Sequence, residues 1–338
     1  MPLLEVKNLK IHYMTKRGIL QAVDGISFEI EQGQNLGLIG ESGCGKSTVV
    51  KSILCLLPRN ALLAEGEINF QGQNLFSVKR AELDQIRWRD IAYIPQSAMN
   101  SLDPVIKIGD QISEAILAHE RITRRKAKQK AASLFGLVGL DPKRLKHYPH
   151  QFSGGMKQRS VISMSLALQP KLIIADEPTT GLDVLVQDQI LTEIEKIHHT
   201  TNASLMFVTH DIGIVAEGCQ RIAVMYAGKI VENADSESLF ERPFHPYTLG
   251  LMNAYPSVYG PKKELISISG GPPDLVNPPQ GCRFAPRCPF VLEICQHQEP
   301  AMDVTALNNQ AACHRIGDIE QLREMAGRAI TWKQAKVI

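Results

Sequence analysis

Apolar and polar positions alternate over residues 4 to 34: Leu4, Val6, Leu9 and Ile11 come first, then Ile26, Phe28 and Ile30. A period of two predicts half-buried antiparallel strands. The pattern then changes. Asn35–Ile39 reads as a short buried strand and Gly66–Phe70 as another, while Val50, Ile53, Leu54 and Leu57 recur at helical spacing until Pro58 stops the helix. From about 97 to 165 the chain is helical and charged, with Ile108, Ile112 and Ile116 returning every fourth residue. Two continuous apolar runs, Lys171–Asp176 and Ser204–Thr209, read as buried strands, the first with the pattern of a central parallel strand. Asp235-Ser236-Glu237 opens a further helix ahead of Pro243. Beyond Pro243 the prolines multiply (Pro246, Pro256, Pro261, Pro272, Pro273, Pro278, Pro279), which favours an extended connection.

Between the first buried strand and the first helix lies Gly40-Glu41-Ser42-Gly43-Cys44-Gly45-Lys46-Ser47-Thr48. A strand, a glycine-rich loop and a helix in that order form the setting of a phosphate-binding loop. Glycines let successive backbone N–H groups turn toward an anion, and the helix N-terminus adds its partial positive charge. Lys46 can reach β- and γ-phosphates, and the Ser47 hydroxyl can hold Mg²⁺. Asp176 ends an apolar strand and would hold Mg²⁺ through water. Glu177 follows at the strand's carboxyl end, where a carboxylate can accept a hydrogen bond from attacking water. His210 ends another strand, and ligand sites of open α/β sheets lie outside such ends.

The chain has 338 residues, 44% of them hydrophobic, and a net charge of +2. That size suits one large domain and a small one. The near-neutral charge gives no general case for binding nucleic acid. Arg121 to Lys130 holds six basic residues in ten, which reads as a solvated helix face. No run approaches the roughly 18 apolar residues that span a bilayer, and no secretory signal is visible, so the expected location is cytoplasmic.

Seven cysteines are present. Cys44 lies in the glycine loop, and Cys55 and Cys219 read as small buried hydrophobes. Cys282, Cys288, Cys295 and Cys313 cluster within 32 residues. Reducing compartments disfavour disulfides, so the cluster suggests a metal or an iron–sulfur site, with unligated thiols as the plainer reading. Four thiolates can take tetrahedral Zn²⁺ or complete a cubane. The spacings are longer than the short Cys-x₂-Cys knuckles usual for zinc.

With these motifs in place the chain resembles the nucleotide-binding subunit of an ABC transporter. Gly40–Thr48 resembles the family's Walker A, Gln96 its Q-loop glutamine, and Ser153-Gly154-Gly155 the signature that caps the γ-phosphate from a neighbouring subunit. Leu172–Glu177 resembles Walker B with its catalytic glutamate, Gly181-Leu182-Asp183 the D-loop, His210 the switch histidine, and Tyr13 the aromatic residue that stacks on adenine. Phe152 and Met156 depart from the commonest signature residues, leucine and glutamine.

The resemblance implies an α/β fold: a RecA-like P-loop NTPase core, an antiparallel β subdomain and an α-helical subdomain at about 97–165, together spanning 1–250. A cysteine-containing extension follows over 251–338. It further implies ATP hydrolysis driven by dimer closure. Glu177, His210 and Gln96 act in catalysis, Mg²⁺ is held through Ser47, Gln96 and Asp176, and Asp183 crosses the dimer interface. His245–Thr248 and Pro272–Asp274 are similar to motifs of the peptide/nickel importer branch, and Cys282–Pro289 resembles an extension that binds a [4Fe–4S] cluster in some peptide-importer ATPases. The partners implied are a second, paralogous ATPase subunit, two transmembrane permeases and an extracytoplasmic solute-binding protein, at the cytoplasmic face of the membrane, without nucleic acid. Peptides are the first expectation for cargo, ahead of nickel or metal chelates and oligosaccharides. A soluble ABC ATPase acting on DNA or ribosomes fits less well, because the chain has one cassette and no sustained heptads. A regulatory metal protein with a vestigial ATPase would not need Glu177 and His210.

Overall fold

The structure, a computed structural model, describes residues 1–96, 100–180, 183–254, 267–305 and 309–333. They form two compact units: 1–3, 30–35 and 71–208 make the first, and the remainder the second.

In the first unit, Ile91–Ile94, Leu172–Asp176 and Ser204–Thr209 run parallel, with the middle strand buried at every residue. Two covered faces explain why these strands are unbroken apolar runs. Their register sets Ile94 beside Ala175 and Asp176 beside Val208, so residues just past each strand share one rim. The helices Ile108–His119, Arg124–Leu137 and Gly154–Ser165 pack on one another. Ile108, Ile112 and Ile116 are fully buried, each contributing about 2 kcal/mol of transfer free energy. The basic run does form a solvated face. Thr123 caps its helix, Lys128 pairs with Asp110 at 3.3 Å and Lys130 with Glu120 at 2.5 Å.

The second unit holds an antiparallel sheet in the order Gly18–Ile30, Leu4–Thr15, Ala61–Phe70. The buried residues of its middle strand switch parity, from Leu4 and Val6 to Leu9 and Ile11. A register shift between Lys7 and Lys10, with Asn8 at φ 44°, supplies the extra residue that keeps both pairs facing inward. A second sheet places Asn35–Ile39 parallel to Arg221–Tyr226, and Lys229–Asp235 antiparallel to that. The helix after the glycine loop, Lys46–Ile53, ends sooner than the spacing of Leu54 and Leu57 suggests, since Cys55 turns the chain at φ 49°.

The proline-rich region differs from expectation at its start. Pro246–Ala254 is a helix. Pro246 occupies its first turn, where the missing N–H has no intrahelical partner to lose. Pro256 and Pro261 lie outside the described residues. No helix among the described residues is long and apolar enough to cross a membrane.

Candidate functional site

The glycine loop is shaped by steric exclusion. Gly40 has φ 154°, and a Cβ there would stand 2.0 Å from the Met225 carbonyl oxygen; Gly45 has φ 109°, and its Cβ would meet the Ala22 carbonyl oxygen at 2.3 Å. No L side chain fits either place, so the backbone can close around an anion. Lys46 is buried, and its Nζ donates to the carbonyl oxygens of Gly40 (2.7 Å) and Glu41 (3.0 Å). The ammonium is thus held by the loop it serves, at the first residue of the helix. Ser47 beside it is exposed, and the Tyr13 hydroxyl lies 3.2 Å from Thr48 Oγ1. His210 lines a cavity of about 80 Å³ with Gly40, Glu41 and Leu251.

The first unit carries the carboxylates. Asp176 is buried, and the Tyr93 hydroxyl donates to its Oδ2 at 3.2 Å. Burial, and then the Asp176 charge, push the Tyr93 phenol well above its ordinary range. Glu177 sits at φ 46°, an uncommon conformation for a non-glycine residue, with its N–H donating to the Val208 carbonyl at 2.7 Å. The side chain accepts from Gln96 Nε2 (2.5 Å) and Thr180 Oγ1 (3.1 Å), both on Oε2. Gln96 and Glu177, 81 residues apart in sequence, are therefore in direct contact at the rim.

Ser153 caps the helix Gly154–Ser165, its Oγ accepting from the Met156 N–H at 3.4 Å. A Cβ on Gly155 would stand 2.7 Å from Val186 Cγ1, so that glycine also answers a packing need. Asp183 caps the helix Val184–Thr201 by accepting from the Val186 N–H at 3.0 Å. Gly181 and Leu182 lie outside the described residues.

Residues 23–180 match the ABC transporter family model, and residues 231–295 match the C-terminal region of oligopeptide/dipeptide transporters. A Sinorhizobium fredii protein named a probable peptide ABC transporter ATP-binding protein is 44% identical over 95% of this chain and 97% of its own length. The Bacillus subtilis dipeptide transport ATP-binding protein DppD is 43% identical, over 92% of this chain and 93% of its own. The chain belongs to the ABC transporter ATP-binding proteins. Among solved structures, a dimeric ATP-binding cassette in a post-hydrolysis state with ADP and Pi superposes with a TM-score of 0.63 at 26% identity, covering 69% of this chain and 98% of that one. ATP hydrolysis coupled to transport is the activity of this ABC family, with ATP as substrate and Mg²⁺ as its metal cofactor.

The C-terminal region of this ABC ATPase brings its four clustered cysteines to one cavity: Cys282, Cys288, Cys295 and Cys313 line it together with His245, Phe284 and His314. Burial, and beyond it the neighbouring thiols, raise Cys282 to about 12 and Cys313 to about 11, and push Cys288 well up. None of the seven cysteines is in a disulfide. Cys219 is buried as expected, whereas Cys55 is only half-buried. Among the described residues no three His, Cys, Asp or Glu side chains gather closely enough to hold a metal ion.

Sequence reasoning missed the residues that join this region to the phosphate loop. Tyr247 is buried, and its hydroxyl accepts from the Glu41 N–H at 3.0 Å. Arg287 Nη1 and Nη2 donate to Glu41 Oε2 and Oε1 at 2.8 and 3.1 Å. Two arginines flanking cysteines in Cys282-Arg283-Phe284-Ala285-Pro286-Arg287-Cys288 were the only local signal.

Proposed function

We propose that this chain is the ATP-hydrolysing subunit of a peptide importer, working as one half of a dimer at the cytoplasmic face of the membrane. The observation that carries the reading is the Gln96–Glu177 contact directly beyond Asp176, in a chain whose relatives are named for dipeptide and oligopeptide transport. Tyr13 stacks on adenine, and the backbone of Gly40–Thr48 with Lys46 holds the phosphates. Ser47, Gln96 and Asp176 would hold Mg²⁺, which would supply neutralisation of the charge developing on the phosphoryl group. Glu177 orients the attacking water as hydrogen-bond acceptor, and His210 contacts the γ-phosphate. Phosphoryl transfer needs positioning and charge neutralisation more than covalent help, which suits a carboxylate held by Gln96 and Thr180.

The second half of the nucleotide pocket comes from Ser153-Gly154-Gly155 of the partner ATPase, a paralogue, with Asp183 at the same interface. Two permease subunits dock on the helical subdomain at about 97–165, and an extracytoplasmic binding protein delivers the peptide. The cassette spans 1–250 and the extension 251–338.

For the extension we infer a [4Fe–4S] cluster on Cys282, Cys288, Cys295 and Cys313, which would supply a structural or redox-sensing centre. A cubane takes one thiolate at each of four irons, so its ligands surround a volume. Zn²⁺ needs its ligands drawn to one point. The support for this reading is that all four thiols line one cavity. Iron and sulfide analysis after anaerobic purification tests it: about four of each per chain is expected, and a colourless, iron-free protein contradicts it.

The import reading is tested by reconstituting the chain with its permease and partner ATPase subunits in proteoliposomes. ATPase activity should rise when peptide-loaded binding protein is added inside the assay. A rise with a nickel chelate or an oligosaccharide, but not with peptides, moves the cargo assignment. Full activity without any membrane subunit contradicts the coupling.

A further inference from the structure

The loop between Cys282 and Cys288 packs against the phosphate loop's own supports. Phe284 packs against both Tyr226 (ring centroids 5.2 Å apart) and Tyr247 (5.4 Å), which themselves stand 4.6 Å apart. Arg283 donates to the Ala227 carbonyl at 2.5 Å, and the next residue, Gly228, donates its N–H to the Cys44 carbonyl at 2.9 Å. Arg287 is buried to 5% exposure and uses every donor group. Its Nε donates to the Ser269 carbonyl (3.0 Å), Nη1 also to the Tyr226 hydroxyl (3.2 Å), and both Nη atoms grip the Glu41 carboxylate. A planar guanidinium held at that many points fixes the carboxylate's direction as well as its charge.

Glu41 is not a bystander. Its carbonyl and that of Gly40 are the two oxygen acceptors of Lys46 Nζ, beside Cys44 Sγ, and its N–H donates to Tyr247. The side chain, carbonyl and N–H of this one residue are therefore each tied down, two of the three by residues beyond 245.

We propose that Arg287 is a positioning residue for nucleotide binding: by holding the Glu41 carboxylate in two-point contact, it sets the Gly40–Glu41 carbonyls that place the Lys46 ammonium. The C-terminal extension is, on this account, part of the nucleotide site's scaffold as well as the cysteine centre's. The proposal needs only that the phosphate loop binds ATP, and stands whether or not the cysteines carry a cluster.

The test uses the full chain and a fluorescent ATP analogue, with dissociation constant and melting temperature measured on the same samples. Arg287→Met should weaken the analogue about tenfold, since it leaves Glu41 without its partner. Arg287→Lys, which keeps charge but not the two-point grip, should weaken it by about threefold. Glu41→Gln should weaken it too, and the Glu41→Gln/Arg287→Met double variant should be no worse than Arg287→Met alone, because both act through one contact. Arg323→Met provides the control: Arg323 holds the Arg242 and Pro243 carbonyls and lies over the Phe244 ring, so its loss loosens the same extension without touching Glu41. Wild-type affinity in Arg287→Met overturns the proposal. So does an equal loss of affinity in Arg323→Met at matched melting temperature, or additive losses in the double variant. Should Arg287→Met fail to fold, Arg287→Lys and Glu41→Gln carry the same comparison: unchanged affinity in both overturns it.

Discussion

The phosphate loop and the rim beyond Asp176 are built by opposite means. The loop is a backbone device. Gly40 and Gly45 leave no room for even one carbon, and the Lys46 ammonium is steadied by main-chain oxygens. The rim is a side-chain device. Glu177 is not a glycine although its φ is positive, and it is steadied by an amide and a hydroxyl brought in from Gln96 and Thr180. The difference teaches where each should fail. The loop should be intolerant of volume, and the rim tolerant of volume but intolerant of lost charge.

The largest expected effect breaks the comparison at the rim. Glu177→Gln keeps shape and removes charge, so kcat for ATP should fall by about 10²–10³-fold while nucleotide affinity stays within a few-fold. Steady-state ATPase assays beside equilibrium nucleotide titration read both quantities, and a matching loss of affinity would show that the rim serves binding after all. Gly40→Ala breaks it at the loop. One methyl group directed at the Met225 carbonyl should weaken nucleotide binding by at least about tenfold, with the chain still folded by circular dichroism.

The smallest effect sharpens the comparison with a carboxylate held by backbone donors. Glu232 is fully buried and accepts from the N–H groups of Phe244 (2.7 Å) and His245 (2.9 Å), with Thr248 and Arg323 also acting on it. Burial, the largest influence, raises its carboxyl to about 7. A raised folded value favours the protonated native state, so that stabilisation is complete below the ordinary value of 4.5 and is lost as pH climbs through about 7. Glu232→Gln, an isostere of the protonated acid, should therefore gain on wild type by a few degrees of melting temperature between pH 5 and pH 8. A difference that does not move with pH would mean the carboxyl is ionised throughout.

These contrasts also explain what could be read before the structure. The phosphate loop was legible because a backbone device must be written in glycines, and glycines stay adjacent in sequence. The strands Asn35–Ile39 and Ser204–Thr209 emerged residue for residue, because two-sided burial demands an unbroken apolar run. The Leu4–Ile11 alternation was legible as strand, but its parity slip needed the bulge at Asn8 to make sense. The helix Pro246–Ala254 was hidden by its own first residue, since proline signals extension and helix start alike. The Arg287–Glu41 pair was invisible for another reason: its members lie 246 residues apart, and a single long-range contact imposes no periodicity on either segment.

The account rests most heavily on a nucleotide pocket completed by Ser153-Gly154-Gly155 of a second subunit. The most direct test is the mass in solution of Glu177→Gln, alone and with the partner ATPase subunit, before and after MgATP. The account predicts an ATP-dependent doubling of mass with nucleotide retained, abolished by Ser153→Arg. A species that stays monomeric with ATP bound, or a doubling indifferent to Ser153→Arg, would contradict it.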